Sequence, residues 1–206
     1  SEKCDSLIAK GILSTGSQIR FSQSAIDINK RWEQLRLILF VVVDGNKTGF
    51  SERSVASMEE MKSAVDDTLA FTKKLPESMF YTGIEDQTSE YRDLSANYDS
   101  RIDGFTDKAP QIVNASIDAA VQEGAKRVAG ALKFSKDLTY FKSSLGPTGD
   151  FRKTSYDLNV RAFQDELDYS GQGIDCGTKP SEAEDSMVEA GKLAGRTRMS
   201  APAEGI

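Results

Sequence analysis

The sequence contains no histidine among its 206 residues. Histidine is the usual general base near neutral pH, the commonest metal ligand and the usual partner of a nucleophilic serine or cysteine. Its absence excludes the common hydrolase triads, most catalytic zinc sites and the histidine-containing di-iron sites of helical bundles. We therefore predict a protein that is not an enzyme, with no catalytic residue, no metal centre and no cofactor. An enzyme that works with Asp, Glu, Lys or Tyr alone is an alternative.

Long apolar runs and basic clusters are also lacking. The longest apolar run, Leu37 to Val43, has seven residues, whereas a transmembrane helix needs roughly 20. The net charge is -6 and the isoelectric point is near 4.9, whereas a nucleic-acid surface needs clustered lysine and arginine. We expect no nucleic-acid partner and no membrane span. Contact with an anionic membrane is not favoured, because an acidic surface is repelled by it.

Only two cysteines are present, Cys4 and Cys176. Each lies in a polar segment near one end of the chain, which favours a disulfide between them. Closing so long a loop would stabilise the fold by about 4–5 kcal/mol in the chain-entropy model. Two glycosylation sequons, at Asn46 and Asn114, agree with secretion. We expect an acidic, disulfide-bonded glycoprotein of the extracellular space or another oxidising lumen; two free thiols in a reducing compartment are the alternative.

The sequence is rich in apolar residues at helical spacing. Ile8, Ile12, Ile19 and Ile26 begin a stripe that predicts one helix over about residues 4–44. Further stripes, capping boxes and stop signals predict helices from Ser51 or Ser57 to Pro76, from Tyr91 to Phe105, from Pro110 to Leu145 and over about 150–169, and a short one from Ser181.

These elements predict an all-α fold, an elongated antiparallel bundle of four or five main helices. The bundle domain is expected over residues 1–170. A C-terminal extension with a short helix and a flexible tail is expected over 171–206.

Two loops are candidate contact sites. In an up-down bundle the loops lie at the ends, and exposed aromatic or methionine side chains there favour a partner contact. The leading hypothesis is a non-enzymatic, structural or binding protein that contacts a protein partner or larger assembly through helix faces and loop tips. Its oligomeric state is left open. The candidate contact residues are Phe50, Met79, Phe80 and Tyr81.

Three other hypotheses compete with it. The apolar run could act as a membrane-active segment of a pore-forming-like helical protein; its residues are Leu37, Ile38, Leu39, Phe40, Val41, Val42 and Val43. Aromatic core residues could instead line a ligand cavity. Asp44, Asn46 and Thr48 alternate like the first half of an EF-hand loop. Because Val55 stands where the bidentate glutamate is needed, they form only a weak calcium candidate.

Overall fold

The computed structural model describes residues 4–88, 90–164 and 169–198. Within these ranges the chain forms a six-stranded antiparallel sheet and three α-helices, so the prediction of an all-α bundle is wrong. The strands are β1 (Ser6–Ser22), β2 (Ala25–Val43), β3 (Lys47–Val55), β4 (Arg127–Ser143), β5 (Thr148–Phe163) and β6 (Ser170–Gly177). The helices are α1 (Met58–Thr72), α2 (Ile102–Gln122) and α3 (Glu184–Thr197).

The strand order places β3 and β6 at the two edges of the sheet. Across the sheet the order is β3-β2-β1-β4-β5-β6. β2 and β3 pair antiparallel, with Phe40 opposite Phe50. β5 and β6 also pair antiparallel, with Asn159 opposite Ile174. Each neighbouring pair is consecutive in the chain except β1 and β4, which are separated by β2, β3 and two helices.

Left-handed backbone reverses the chain at two hairpins. Gln23 and Ser24 have φ angles of 50° and 60°, and they alone connect β1 to β2. Between β2 and β3, Asp44 and Gly45 have φ angles of 53° and 80°. Such turns match the right-handed twist of the strands they connect. Asp44 and Gly45, at the end of the helix predicted over about residues 4–44, therefore connect two strands.

The chain divides into two units, of which unit 1 comprises residues 1–14, 33–95 and 137–152. Its core lies between β2 and α1 and includes Leu39, Val41 and Val43 with Ala64 and Leu69. Alternate residues of a strand point to one face, which is why the three β2 residues all meet the helix.

The start of α1 follows its predicted capping signal. The Ser57 side chain accepts a hydrogen bond from the Glu60 N–H at 3.1 Å, and the Glu60 carboxylate accepts one from the Ala56 N–H at 2.7 Å. The helix then runs to Thr72, ahead of Pro76. The predicted second helix is therefore present, with the later of its two candidate starts.

The apolar run at 37–43 is a buried strand segment. It forms the second half of β2, and Val41 and Val43 are 0% and 2% exposed. The hypothesis of a concealed membrane-active helix is therefore wrong. None of the helices in the described ranges combines the length and apolarity needed to cross a bilayer.

Unit 2 comprises residues 15–32, 96–136 and 153–206. Its core contains residues of β1, β4 and β5 together with α2 and α3, for example Phe21, Leu158 and Met187. Phe105 and Phe134 meet edge to face with centroids 4.9 Å apart, the arrangement that the ring quadrupoles favour.

Glycines allow α3 to lie directly against its neighbours. A side chain at Gly173 of β6 would overlap the carbonyl oxygen of Ala190, and one at Gly191 of α3 would overlap that of Ser116 in α2. Ser116 also donates a hydrogen bond to the Met187 carbonyl at 3.0 Å. Gly171 and Gly195 continue these two contacts. We call the contact between α3 and β6 the glycine seam.

Most of the other predicted helices are replaced by strands or have different bounds. The helix expected over 4–44 is the β1–β2 hairpin, and the helix expected from Pro110 combines part of α2 with β4. Pro110 lies inside α2 rather than at its start. β5 (148–163) replaces most of the fifth expected helix, which was placed over about 150–169 and whose residues 165–168 lie outside the described residues.

The C-terminal helix is present but longer than expected. It begins at Glu184 rather than Ser181, with no side-chain hydrogen bond at its N-terminus, and it includes Gly195. Residues 199–206, where most of the flexible tail was expected, lie outside the described residues. The domain boundary at residue 170 stays a prediction.

Candidate functional site: an open sheet face

One face of the unit 2 sheet carries the candidate site. Even-numbered residues such as Val128, Leu132, Leu158 and Val160 are buried in the core beneath the helices. Their odd-numbered neighbours on β4 and β5 therefore lie on the opposite face. On β6, Gly173 contacts α3, so the next residue, Ile174, lies on the opposite face. Its side chain is 56% exposed. We call this surface the open face; its residues include Trp32, Arg127, Lys133, Arg161, Phe163 and Ile174.

A tryptophan covers a glycine on the open face. The Trp32 ring lies so close to Gly16 that a side chain at Gly16 would overlap it. Lys133 places its Nζ 5.7 Å from the centroid of the same ring. This is within the range of a cation–π interaction, which contributes about 0.5–1 kcal/mol at an exposed site. Trp32 is half-buried and Lys133 is exposed.

A second aromatic ring is flanked by two guanidinium groups. Arg127 lies 4.4 Å and Arg161 5.4 Å from the centroid of the Phe163 ring. Arg161 also donates two hydrogen bonds to the Ser170 hydroxyl, at 3.1 and 3.0 Å. The ring and the hydroxyl therefore hold the Arg161 side chain in a defined position.

Three cations of the open face have no carboxylate partner among the described residues. Among the described residues, Arg127, Lys133 and Arg161 contact rings or a hydroxyl but make no ion pair. In unit 1, by contrast, Arg36 lies 2.7 Å from Glu52. An exposed cation that is held in place and not neutralised can attract an anionic group at little ordering cost. The arrangement can bind; it does not place a nucleophile beside a base.

A hydroxyl and carboxylate cluster lies on the helix side of β5 and β6. Tyr156 and Ser186 both donate to one oxygen of Asp175, at 3.1 and 2.7 Å. Burial and the neighbouring Asp175 carboxylate raise the pKa of Tyr156 to about 12. The tyrosine is therefore a donor at neutral pH, and the cluster connects β6 to the start of α3.

A buried carboxylate joins two loops of unit 2. Asp99 accepts hydrogen bonds from the backbone N–H groups of Arg101 and Ser181, at 2.9 and 2.8 Å, and its own N–H donates to Thr154 at 2.9 Å. Burial raises the pKa of Asp99, but the hydrogen bonds from these N–H groups and the Arg101 charge outweigh it, so the pKa lies below its usual value. Asp99 has a structural role.

The predicted disulfide is not formed. Cys4 is a half-buried free thiol that packs against the unit 1 core, and Cys176 is an exposed free thiol on β6. The prediction of a disulfide-bonded, secreted or lumenal protein depended on that bridge and is wrong.

The structure brings the two predicted contact loops together. In unit 1, Ser78 donates its N–H to the Asn46 carbonyl at 3.0 Å, and the Asn46 side chain donates to Glu77 at 3.2 Å. Met79 and Phe80 beside this contact are 89% and 87% exposed.

The remaining contact residues differ in exposure. Phe50 is 61% exposed on the edge strand β3, and Tyr81 is half-buried. A partner contact at these side chains stays a prediction. Asn46 lies in the β2–β3 turn and Asn114 is exposed on α2, but the expectation of a secreted glycoprotein is wrong.

The calcium candidate lies in the β2–β3 turn. Asp44 contacts Lys47 at 2.9 Å, and this hydrogen-bonded cation lowers the pKa of the Asp44 carboxyl. Thr48 is a half-buried residue of β3. The described residues contain no cluster of three or more cysteine, aspartate or glutamate side chains suited to a metal ion.

Sequence reasoning missed the open face. Trp32 and Phe163 fall within the helices predicted over about residues 4–44 and 150–169, and the sequence lacks the basic cluster that would mark a charged surface. A signal was nevertheless present. From Arg127 to Lys133, buried Val128 and Leu132 alternate with residues of the open face, which is the period of a strand.

The fold is similar to that of proteins described as modulators of DNA gyrase and to TldE. One such proposed modulator, from Thermotoga maritima, matches with a TM-score of 0.72 and 17% identity over 95% of this chain and 44% of that chain. TldE from Thermococcus kodakarensis matches with a TM-score of 0.71 and 14% identity over 93% of this chain and 44% of that one. A proposed gyrase modulator from Bacteroides thetaiotaomicron gives 0.65 and 15%, over 90% and 45%.

No protein-family model matches the sequence, and no curated protein matches it. The chain spans less than half the length of the solved proteins that it resembles. At these identities the likeness shows the fold: an antiparallel sheet with helices that TldE and the gyrase modulators share.

Proposed function

We propose that this chain is a non-enzymatic binding module that holds an acidic polypeptide on the open face of unit 2. In a protein built like TldE or the gyrase modulators, it would form the part that docks a partner. The observation that carries the proposal is the set of three exposed cations, Arg127, Lys133 and Arg161, which are positioned by aromatic rings or a hydroxyl and have no carboxylate partner among the described residues.

The spacing of the cations suits an extended chain. Arg127 and Lys133 lie six residues apart on β4, and a strand rises about 3.3 Å per residue, so roughly 20 Å separates them. An extended segment of about six residues spans this distance. Acidic side chains at its ends would meet the cations, and apolar ones between them would cover the small side chains of Ala129 and Ala131.

A polypeptide is favoured over a nucleic acid by the charge of the whole chain. The net charge is -6, so long-range repulsion acts against a polyanionic backbone. A peptide with two or three carboxylates carries far less charge and can use the local cations. Single-stranded nucleic acid could instead bind by stacking its bases on Trp32, so the test also measures binding of a single-stranded DNA.

The fluorescence of Trp32 provides the test, because it is the only tryptophan. The chain is titrated with a seven-residue peptide that has glutamate at both ends, leucine at its third and fifth positions and serine elsewhere, and separately with a ten-nucleotide single-stranded DNA. We expect saturable quenching by the peptide that weakens as salt is raised. Lys133→Glu combined with Arg161→Glu should weaken binding at least about tenfold, since each lost charge contact contributes of order 1 kcal/mol.

Two control variants make the result specific. Lys62→Glu changes an exposed lysine of α1 in unit 1 and should leave peptide binding unchanged. Lys133→Arg keeps the charge and the ring contact and should bind like the parent chain. Unsaturable peptide binding, an equal loss in Lys62→Glu, or tighter binding of the DNA than of the peptide would each refute the proposal.

A further inference from the structure

We propose that the outer edge of β6 pairs with an extended segment of a partner polypeptide that carries lysine or arginine together with apolar residues. The site is the groove between this edge and the outer surface of α3. It goes beyond the open face and does not depend on it: the two surfaces share only Ile174, and the mode of binding and the favoured charge of the partner differ.

The edge of β6 has few of the features that protect edge strands: its one charged residue, Asp175, accepts hydrogen bonds from Tyr156 and Ser186 on the helix side. Proteins block such edges with charged side chains, proline or bulges, because unpaired N–H and C=O groups attract another strand. β6, Ser170–Gly177, contains no lysine, arginine or proline. The opposite edge strand, β3, is protected: Glu52 pairs with Arg36 and Arg53 pairs with Asp67, both at 2.7 Å.

A groove of about 540 Å³ runs beside the β6 edge. Its apolar side chains are prominently exposed, Ile174 at 56% and Leu193 at 48%. The lining residues Asp185, Glu189 and Leu193 of α3 are spaced by about one helical turn, so they form a single row that faces the β6 edge. The groove is lined by Ile174, Asp185, Ser186, Glu189, Ala190 and Leu193.

The charge of the groove selects the partner. Asp185 makes no ion pair within the described ranges. Glu189 shares its carboxylate with Lys192 at 3.1 Å and Arg196 at 3.3 Å. The end of the groove at the start of α3 is therefore negative. A lysine or arginine of an added strand would be attracted there.

A strand added to β6 would contact the α3 row with one of its faces and Ile174 with the other. Gly173 contacts α3, and Ile174 lies on the other side of β6. A strand added to β6 would continue this alternation. One set of its side chains would meet the Asp185 and Leu193 row, and the other set would lie beside Ile174. Backbone hydrogen bonds would give affinity, and the two sets of side chains would give specificity.

A second copy of this chain is a less suitable occupant than a lone segment. Because of the glycine seam, α3 lies directly against the backbone of β6. Two β6 edges paired at the strand spacing of about 4.8 Å would bring two α3 helices closer than the 8–10 Å at which helices pack. An extended segment without a helix on that side avoids this overlap.

The test uses an eight-residue peptide of alternating lysine and valine, labelled for fluorescence anisotropy. We expect saturable binding to the whole chain. We also expect slower hydrogen exchange of β6 amides when the peptide is bound. The same peptide with alternate N-methyl groups cannot pair and should not bind. Asp185→Lys should weaken binding at least about tenfold, as loss of one charge contact and gain of a repulsion predict.

Matched variants keep the test specific. Asp118→Lys reverses another exposed carboxylate, on α2, and should bind the peptide normally. Lys133→Glu with Arg161→Glu should also bind normally, which separates this site from the open face. The proposal is overturned by unsaturable binding at about 1 mM peptide, the weak end of specific recognition. Equal binding of the methylated and unmethylated peptides would also overturn it, and so would an Asp185→Lys variant that binds the peptide as tightly as the parent chain. A third contrary result would be a dimer of this chain that the Ile174→Lys substitution dissociates.

Discussion

Replacing Asp99 by alanine should destabilise unit 2 strongly. The Asp99 side chain is 2% exposed and accepts hydrogen bonds from the N–H groups of Arg101 and Ser181. Alanine leaves both donors without this acceptor. A buried donor without its partner costs about 1–3 kcal/mol, so for the two donors the free energy of unfolding should fall by about 2–6 kcal/mol.

The penalty should depend on pH. The pKa of Asp99 lies below its usual value, so the carboxylate stabilises the fold above the unfolded pKa of about 3.9. This stabilisation is lost as the pH falls through the lower, folded-state pKa. Asp99→Ala should therefore cost less at about pH 3 than at about pH 7.

Urea unfolding followed by the fluorescence of Trp32 measures this change, because the only tryptophan belongs to unit 2. Asp107→Ala is the matched control: its side chain is 87% exposed and lies 3.9 Å from Arg31, so it should change stability by less than about 0.5 kcal/mol. A loss below about 0.5 kcal/mol for Asp99→Ala, or a penalty that does not vary with pH, would show that the carboxylate does not hold the two loops.

Three other changes test the structure. Gly173→Ala should lower stability by about 2–4 kcal/mol in thermal unfolding, because its Cβ overlaps an α3 carbonyl, whereas Gly11→Ala, with open space around it, should be nearly neutral. Tyr156→Phe should cost about 0.5–1.5 kcal/mol at neutral pH. The pKa of Tyr156 is higher in the folded than in the unfolded chain, so its stabilisation is complete below about pH 10 and is lost as the pH rises through about 12. The penalty of Tyr156→Phe should therefore disappear over this range, and a penalty that persists at higher pH would contradict the raised pKa. Alkylation should label two thiols per chain, Cys176 faster than Cys4, and a blocked pair would contradict the free thiols.

Some buried residues of the strands are spaced so that they also fit the period of a helix. Ile12 and Ile19 are seven residues apart, which fits two helical turns, yet both are buried in a strand of 17 residues. Strands this long have buried side chains on both faces, so the period-two alternation is blurred. The stretch after Arg127 kept a clean alternation and was still assigned to a helix.

Local signals predicted helices correctly where the contacts were themselves local. The Ser57 capping box acts within one turn, and α1 begins after it. Asp-Gly is a typical turn pair, but whether helices or strands flank Asp44 and Gly45 depends on long-range pairing of β2 with β3. The turn at Gln23 and Ser24 contains neither glycine nor proline, so no sequence signal marked it.

The open face could be predicted only in part. Its cations are visible in the sequence, but each aromatic partner depends on strand register. Trp32 meets Lys133 although a hundred residues separate them, and a one-residue slip in pairing would place the two on opposite faces.

The glycine seam has a kinetic consequence for the free edge. Since no side chain of β6 intervenes at Gly171 and Gly173, this part of the edge strand is backed by helix backbone and has few alternative conformations. A partner segment would therefore lose its own conformational entropy on binding, but strand β6 is already ordered and would lose little. Association should occur in one step without a preceding opening of the strand, and the affinity of different segments should differ mainly in how slowly they dissociate.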